Sequence, residues 1–201
     1  MRILYQNSKE GIIKLIPDSL DDLWHLEHVL EVGDMVTART LRKTAVKRGG
    51  EVELGEKRPL ILTIQIEKID FHKYTFRLRL TGKIISGPED IQLSSYHSID
   101  IEPGTMLKIQ KKWKSYQLER LRKARIRKPL LFLCLIDRDE ANFFSLKESG
   151  LESLGTIRFR KIKGKEDFRE EYYKSVADNL AKQEHQHMIT AGPGFEKENL
   201  L

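Results

Sequence analysis

Between Leu60 and Leu80 the chain alternates apolar and polar positions with a period of two. In "LILTIQIEKID", Leu60, Leu62, Ile64 and Ile66 fall on one side, and Thr63, Gln65 and Glu67 on the other. "YTFRLRLTG" repeats the pattern, with Tyr74, Phe76, Leu78 and Leu80 expected inward and Thr75, Arg77, Arg79 and Thr81 outward. With "IDFHKY" supplying the turn, the two runs predict an antiparallel hairpin that keeps one face in water. Upstream, residues 1–5 and 11–15 read as short strands. Asp18 or Ser19 then caps a helix, with Asp22 three residues after Ser19 in capping-box spacing. Leu20, Leu23, Leu26 and Leu30 form its apolar stripe, and Gly33 is expected to end it. "MVTART" begins a further strand, and "YHSIDIEPG" and "TMLKIQ" predict two more around a Pro103-Gly104 turn. One helix among several short twisted strands predicts a small, partly open β-barrel.

The pattern changes at Pro129. "LLFLCLID", "ANFFSLKE" and "LGTIRFRKI" read as three successive strands, and "KEDFREEYYKSVADNLAKQ" as an amphipathic helix through Phe168, Tyr172, Val176 and Leu180. "HMITAGPGF" reads as a strand entering a tight Gly-rich turn. Strands, a helix and a further strand indicate a mixed α/β domain. The chain stops where another helix is expected at "EKENLL", so this second domain reads as incomplete. The domains predicted are 1–127 and 128–201.

Charge separates the two halves. Residues 1–128 hold 25 Lys/Arg against 17 Asp/Glu, a balance of +8, whereas 129–201 hold 11 against 13, or −2. A basic first domain points to phosphate backbone as its partner, because each contact releases condensed counterions. The basic residues concentrate in "RTLRKTAVKRGGEVELGEKRP" at 39–59, which reads as a loop hinged at Gly49-Gly50. Its candidates for RNA contact are Arg39, Arg42, Lys43, Lys47, Arg48, Lys57 and Arg58. A second basic stretch, 108–128, carries ten Lys/Arg and only Glu119 as acid, and reads as a linker whose "SYQLERLRKARIRK" portion is helical.

Little else in the sequence carries chemistry. The run "LLFLCLI" is too short to cross a bilayer. The single Cys134 lies in that buried run, which excludes an intrachain disulfide and a cysteine-based zinc site and points to a reducing cytoplasm. His25 with His28, and His185 with His187, bring no close third ligand for a metal. Asp137, Asp139 and Glu140 read as an exposed turn, and "AGPGF" has neither Walker nor GxGxxG spacing. No cofactor is implied.

Several segments in order, "DDLWHLEHVLEVGDMVTARTLRK", "LTIQIEKIDF", "SSYHSIDIEPG", "LERL", "LIDRDEANF" and "AGPGFEKENL", resemble the Pelota family of ribosome-rescue factors, in its archaeal form. The resemblance implies an α+β chain. An Sm-like partly open β-barrel would be followed by the first part of a mixed α/β, RNase H-like central domain. It implies a factor of mRNA surveillance and no-go decay whose loop at 39–59 meets ribosomal RNA and mRNA in the empty A site of a stalled ribosome. Related release factors carry Gly-Gly-Gln in the central domain. That tripeptide is absent around "RFRKIKGKEDFREE", so the resemblance implies subunit dissociation without peptide release. The partners implied are an elongation-factor-type translational GTPase and an ABC-type recycling ATPase, with no membrane. The alternative is an enzyme, a divalent-metal-dependent endoribonuclease that cuts mRNA at stall sites, with Asp21, Asp22 and Glu27 as its candidate acids.

Overall fold

The run from Leu60 to Ile66 forms the inner face of one strand in a seven-stranded antiparallel sheet. The computed structural model describes residues 1–200 apart from 49–50, 126–128, 160–168 and 184–186, and for 44–48 and 51–56 only the backbone. The chain divides into two compact units, Met1–Ile126 and Arg127–Leu201. The first contains β1 (Arg2–Asn7), β2 (Ile12–Ile16), α1 (Leu20–Glu27), β3 (Met35–Arg48) and β4 (Glu51–His72). It continues with β5 (Arg77–Ser86), β6 (Tyr96–Ile101), β7 (Leu107–Gln110) and α2 (Ser115–Lys123). The strands lie in the order β1-β2-β7-β3-β4-β5-β6.

The sheet curls on itself. β3 and β6 stand three places apart in strand order, yet Thr40 Oγ1 lies 2.9 Å from His97 Nε2. The result is the partly open barrel that the alternation predicts. Its interior is filled by Ile13, Leu15, Val36, Leu62, Ile64, Ile66, Leu78, Leu80, Ile99, Ile101 and Ile109, all fully buried. α1 contributes Leu23 and Leu26 to the same core. Each such side chain adds about 1.5–3 kcal/mol of burial relative to exposure. Ser19 caps α1 by accepting the Asp22 amide through Oγ at 3.2 Å. The Asp22 carboxylate accepts from the Asp18 amide at 2.7 Å and from the chain's amino terminus at 2.6 Å. At Gly82 a Cβ would lie 1.8 Å from the Gln65 carbonyl oxygen, so only glycine lets β5 approach β4 this closely.

The second unit holds β8 (Leu131–Ile136), β9 (Glu140–Lys147), β10 (Gly150–Arg158), α3 (Arg169–Ala181) and β11 (Met188–Ala191). β8, β9 and β10 pair antiparallel in succession, and β11 joins β8 in parallel, giving the order β10-β9-β8-β11. α3 packs Tyr172, Val176 and Leu180 onto Phe132, Cys134, Ile136, Ala141 and Phe143. The mixed pairing with a covering helix is the α/β start that the resemblance implies.

Three local expectations change. Tyr74 and Phe76 are exposed rather than inward, because β4 runs on to His72 and the reversal occupies 73–76 as a short 3₁₀ turn. Phe76 takes the left-handed conformation there, with φ of 50°. α1 ends at Glu27 with His28 as its cap, one and a half turns before Gly33. Gly33 instead occupies a later turn at φ of 94°, where its amide donates to the Ile66 carbonyl at 2.8 Å. Finally, the basic segment at 39–59 is largely strand and not a loop. β3 and β4 pair from Met35↔Gln65 to Arg48↔Glu51, with one register shift between Lys43 and Ala45. The Gly49-Gly50 hinge lies outside the described residues.

Candidate nucleic-acid interface

Cross-strand register assigns each described cation of the hairpin to a face. Directly opposed residues share a side of the sheet, so Arg42↔Arg58 continues the inner row of Ala38↔Leu62 and Thr40↔Leu60. Lys43↔Lys57 continues the outer row of Arg39↔Ile61 and Leu41↔Pro59. Both charged rungs place like charges opposite one another, which by itself destabilises a ladder.

The two rungs resolve that repulsion differently. On the inner side, Arg42 donates to the Tyr96 carbonyl at 3.0 Å and to Ser95 Oγ at 2.9 Å, and Arg58 pairs with Asp90. These two guanidinium groups tie the hairpin to the segment that leads into β6. His97 is half-buried beside them, and burial, followed by the Arg42 charge, holds its pKa below the ordinary value. On the outer side, Arg39, Lys43 and Lys57 are exposed. Among the described residues no carboxylate lies within ion-pair distance of those three. The side chains of Lys47 and Arg48 lie outside the described residues. Of the seven cations named from sequence, three have no carboxylate partner among the described residues and two are structural ties.

The second basic stretch is not one track. Lys111 is buried, donating to Asp34 Oδ2 at 2.6 Å, to the Val29 carbonyl at 2.9 Å and to Glu31 Oε2 at 3.1 Å. Lys114 reaches the other Glu31 oxygen at 2.8 Å. These hydrogen bonds, from Lys114 first and Lys111 second, pull the Glu31 pKa down to about 2. Arg120 stacks over Trp24 at 5.1 Å, and Lys123 pairs with Glu119 at 3.4 Å. Nothing in the sequence pattern distinguished Lys111 from its exposed neighbours, except that strand alternation after Leu107 and Ile109 places it on the inner side.

The acids proposed for a nuclease are engaged locally. Asp22 binds the amino terminus, Asp21 lies 3.7 Å from His25, and Glu27 lies 3.9 Å from His28. His28 Nδ1 lies 2.8 Å from the Trp24 carbonyl. No group of three or more His, Cys, Asp or Glu that could hold a metal occurs among the described residues. In the second unit, Asp137 Oδ1 accepts the Asp139 and Glu140 amides, each at 2.8 Å, which lowers its pKa and closes the β8–β9 turn. Cys134 is buried in β8, where burial pushes its thiol up to about 11. His185 lies outside the described residues, and the His187 carbonyl accepts the Phe132 amide at 2.9 Å.

Residues 1–125 match the family model for the Pelota N-terminal domain. A protein pelota homolog of Pyrococcus furiosus is 40% identical over 100% of this chain and 60% of its own length. That of Methanococcus vannielii is 36% identical with the same coverage. The chain thus spans about 60% of the length of the curated relatives it matches. Among solved structures, the Thermoplasma acidophilum Pelota protein has a TM-score of 0.60 at 24% identity, covering 100% of this chain and 57% of that one. A structure of ribosome-bound archaeal Pelota and ABCE1 has a TM-score of 0.52 at 37% identity, covering 100% of this chain and 60% of that one.

Proposed function

The chain belongs to the Pelota family, and from that premise we propose that it acts in ribosome rescue, with its β3–β4 hairpin as the arm that meets RNA. The observation that carries this reading is the outer row of Arg39, Lys43 and Lys57. It is a set of cations without described carboxylate partners, one pair of them held in direct like-charge opposition. Such an arrangement costs stability in the free protein and is relieved by a polyanion. Among the described residues no aromatic side chain lies on that row. Contact with phosphates rather than base edges suits a factor that must act on any codon. The ribosome-bound relative supports the assignment of the target.

In this reading the barrel enters the empty A site of a stalled ribosome and the hairpin follows the mRNA path at the decoding centre. A translational GTPase of the elongation-factor type delivers the full-length factor, and an ABC-type ATPase acts with it in separating the subunits. The sequence has no Gly-Gly-Gln, so the factor separates subunits and leaves the peptidyl-tRNA intact.

The test is binding to ribosomes with a vacant A site across a salt series. Changing Arg39, Lys43 and Lys57 together to Ala lowers the slope of log K against log salt by about 2, at roughly 0.7 per phosphate contact. The Arg42→Ala and Arg58→Ala pair alters thermal stability more than salt slope. An unchanged slope in the triple variant would remove the hairpin from the interface.

A further inference from the structure

A second feature of the barrel lies beside the hairpin, meets the RNA reading at Arg39, and extends away from it to β2 and β7. Across the outer face of β2, β7, β3 and β4 runs an open groove of about 850 Å³. Its apolar surface includes Leu41, Ile61 and Met106, all more than half exposed, and its rim carries Lys14, Arg39 and Lys108. None of the residues around it is acidic. Lys14 stands directly opposite Lys108 in the β2–β7 ladder, a third like-charge rung. The Lys14 ammonium lies 5.7 Å from the Tyr5 ring centre, and no carboxylate among the described residues pairs with Lys14 or Lys108.

We propose that this groove is a docking site for an acidic, leucine-rich segment of a protein partner. Contiguous exposed aliphatic surface marks a protein-binding site, and its volume suits two or three large apolar side chains. The cationic rim, unopposed within the groove, selects for carboxylates flanking those side chains, through attraction and by repelling basic segments. An RNA strand fits less well. The groove's lining holds no aromatic ring on which a base could stack, and a phosphate chain offers no apolar surface to Leu41, Ile61 and Met106.

The experiment is a methyl and amide NMR titration of the whole chain with three probes. They are a short peptide of leucines flanked by glutamates, the same peptide with lysines in place of glutamates, and an oligouridine. The glutamate peptide shifts the methyl signals of Leu41, Ile61 and Met106, and the lysine peptide does not. The oligouridine shifts signals around Lys43 and Lys57, together with Leu41 on the same row, and leaves Met106 unmoved. Lys14→Glu with Lys108→Glu weakens the glutamate peptide about tenfold, on the scale of two exposed ion pairs. The milder Lys14→Gln with Lys108→Gln weakens it by less and guards against a folding defect. Oligouridine shifting Met106 as strongly as Leu41, no shift with the glutamate peptide, or unchanged affinity in both double variants would each overturn the proposal. Lys14 and Lys108 take no part in the hairpin reading, so failure here leaves that reading standing, and the converse also holds.

Discussion

Lys111→Met separates a buried structural cation from the exposed ones around it. The Lys111 ammonium is 2% exposed and has three oxygen partners, of which Asp34 is itself buried. Methionine keeps the stem's volume and removes the charge. The Asp34 carboxylate then retains, among the described residues, only the Glu31 amide as donor, at 2.8 Å. The Val29 carbonyl keeps Gln117 Nε2 at 3.2 Å, and Glu31 keeps Lys114. Stranding one partner of a buried pair costs about 3–5 kcal/mol, and the surviving amide bond places this case near 3. For a unit of this size that is a fall of roughly 12 °C in melting temperature. Trp24 and Trp113, the two tryptophans of the chain, both lie in the first unit. Their fluorescence therefore follows that unit's unfolding within the intact protein, in urea and on heating. Ribosome binding by the folded variant keeps the wild-type salt slope. A loss below about 1 kcal/mol, the scale of an exposed pair, would refute the description of Lys111 as a desolvated tie.

Two further outcomes follow from the same geometry. The Glu31 carboxyl sits at about 2, against an ordinary 4.5. Its folded-state pKa is depressed, so its contribution is present above about pH 4.5 and is lost as pH falls towards 2. The melting-temperature gap between wild type and Glu31→Gln is level near neutrality and closes over that window in an acid titration at fixed salt; a gap that widens in acid would contradict the assignment. Gly82→Ala forces β5 away from the Gln65 carbonyl. It lowers stability by about 3 kcal/mol in urea unfolding, whereas a neutral effect would mean that the two strands are not so close.

The barrel was legible in the sequence because its strands bury one face. The alternation of Leu60, Leu62, Ile64 and Ile66 leaves period two as the only pattern that serves that core. Tyr74 and Phe76 continued the same alternation past the point where the chain reverses. Periodicity does not record the switch of Phe76 to the left-handed conformation. The hairpin beyond Leu60 was read as a loop for a related reason. No sustained apolar alternation runs through 44–58, so its strand pairing leaves little trace in the sequence. The candidate cations were named by charge alone, and charge does not show which are tied down. Separating Arg42 and Arg58 from Lys43 and Lys57 required the register and the 90–96 segment, whose Ser95, Tyr96 and Asp90 are distant in sequence.

The central claim is that the outer row of the β3–β4 hairpin lies on RNA in a vacant A site. Cys134 is buried and its thiol is pushed up to about 11, so a cysteine introduced at Lys43 becomes the reactive one. A photo-crosslinker carried there, on the chain bound to stalled ribosomes, is predicted to join mRNA and small-subunit RNA of the decoding centre. A control label at Lys68, on β4 and away from the hairpin's outer row, marks background. Crosslinks that fall on ribosomal protein or on the large subunit, with none to mRNA, would contradict the account.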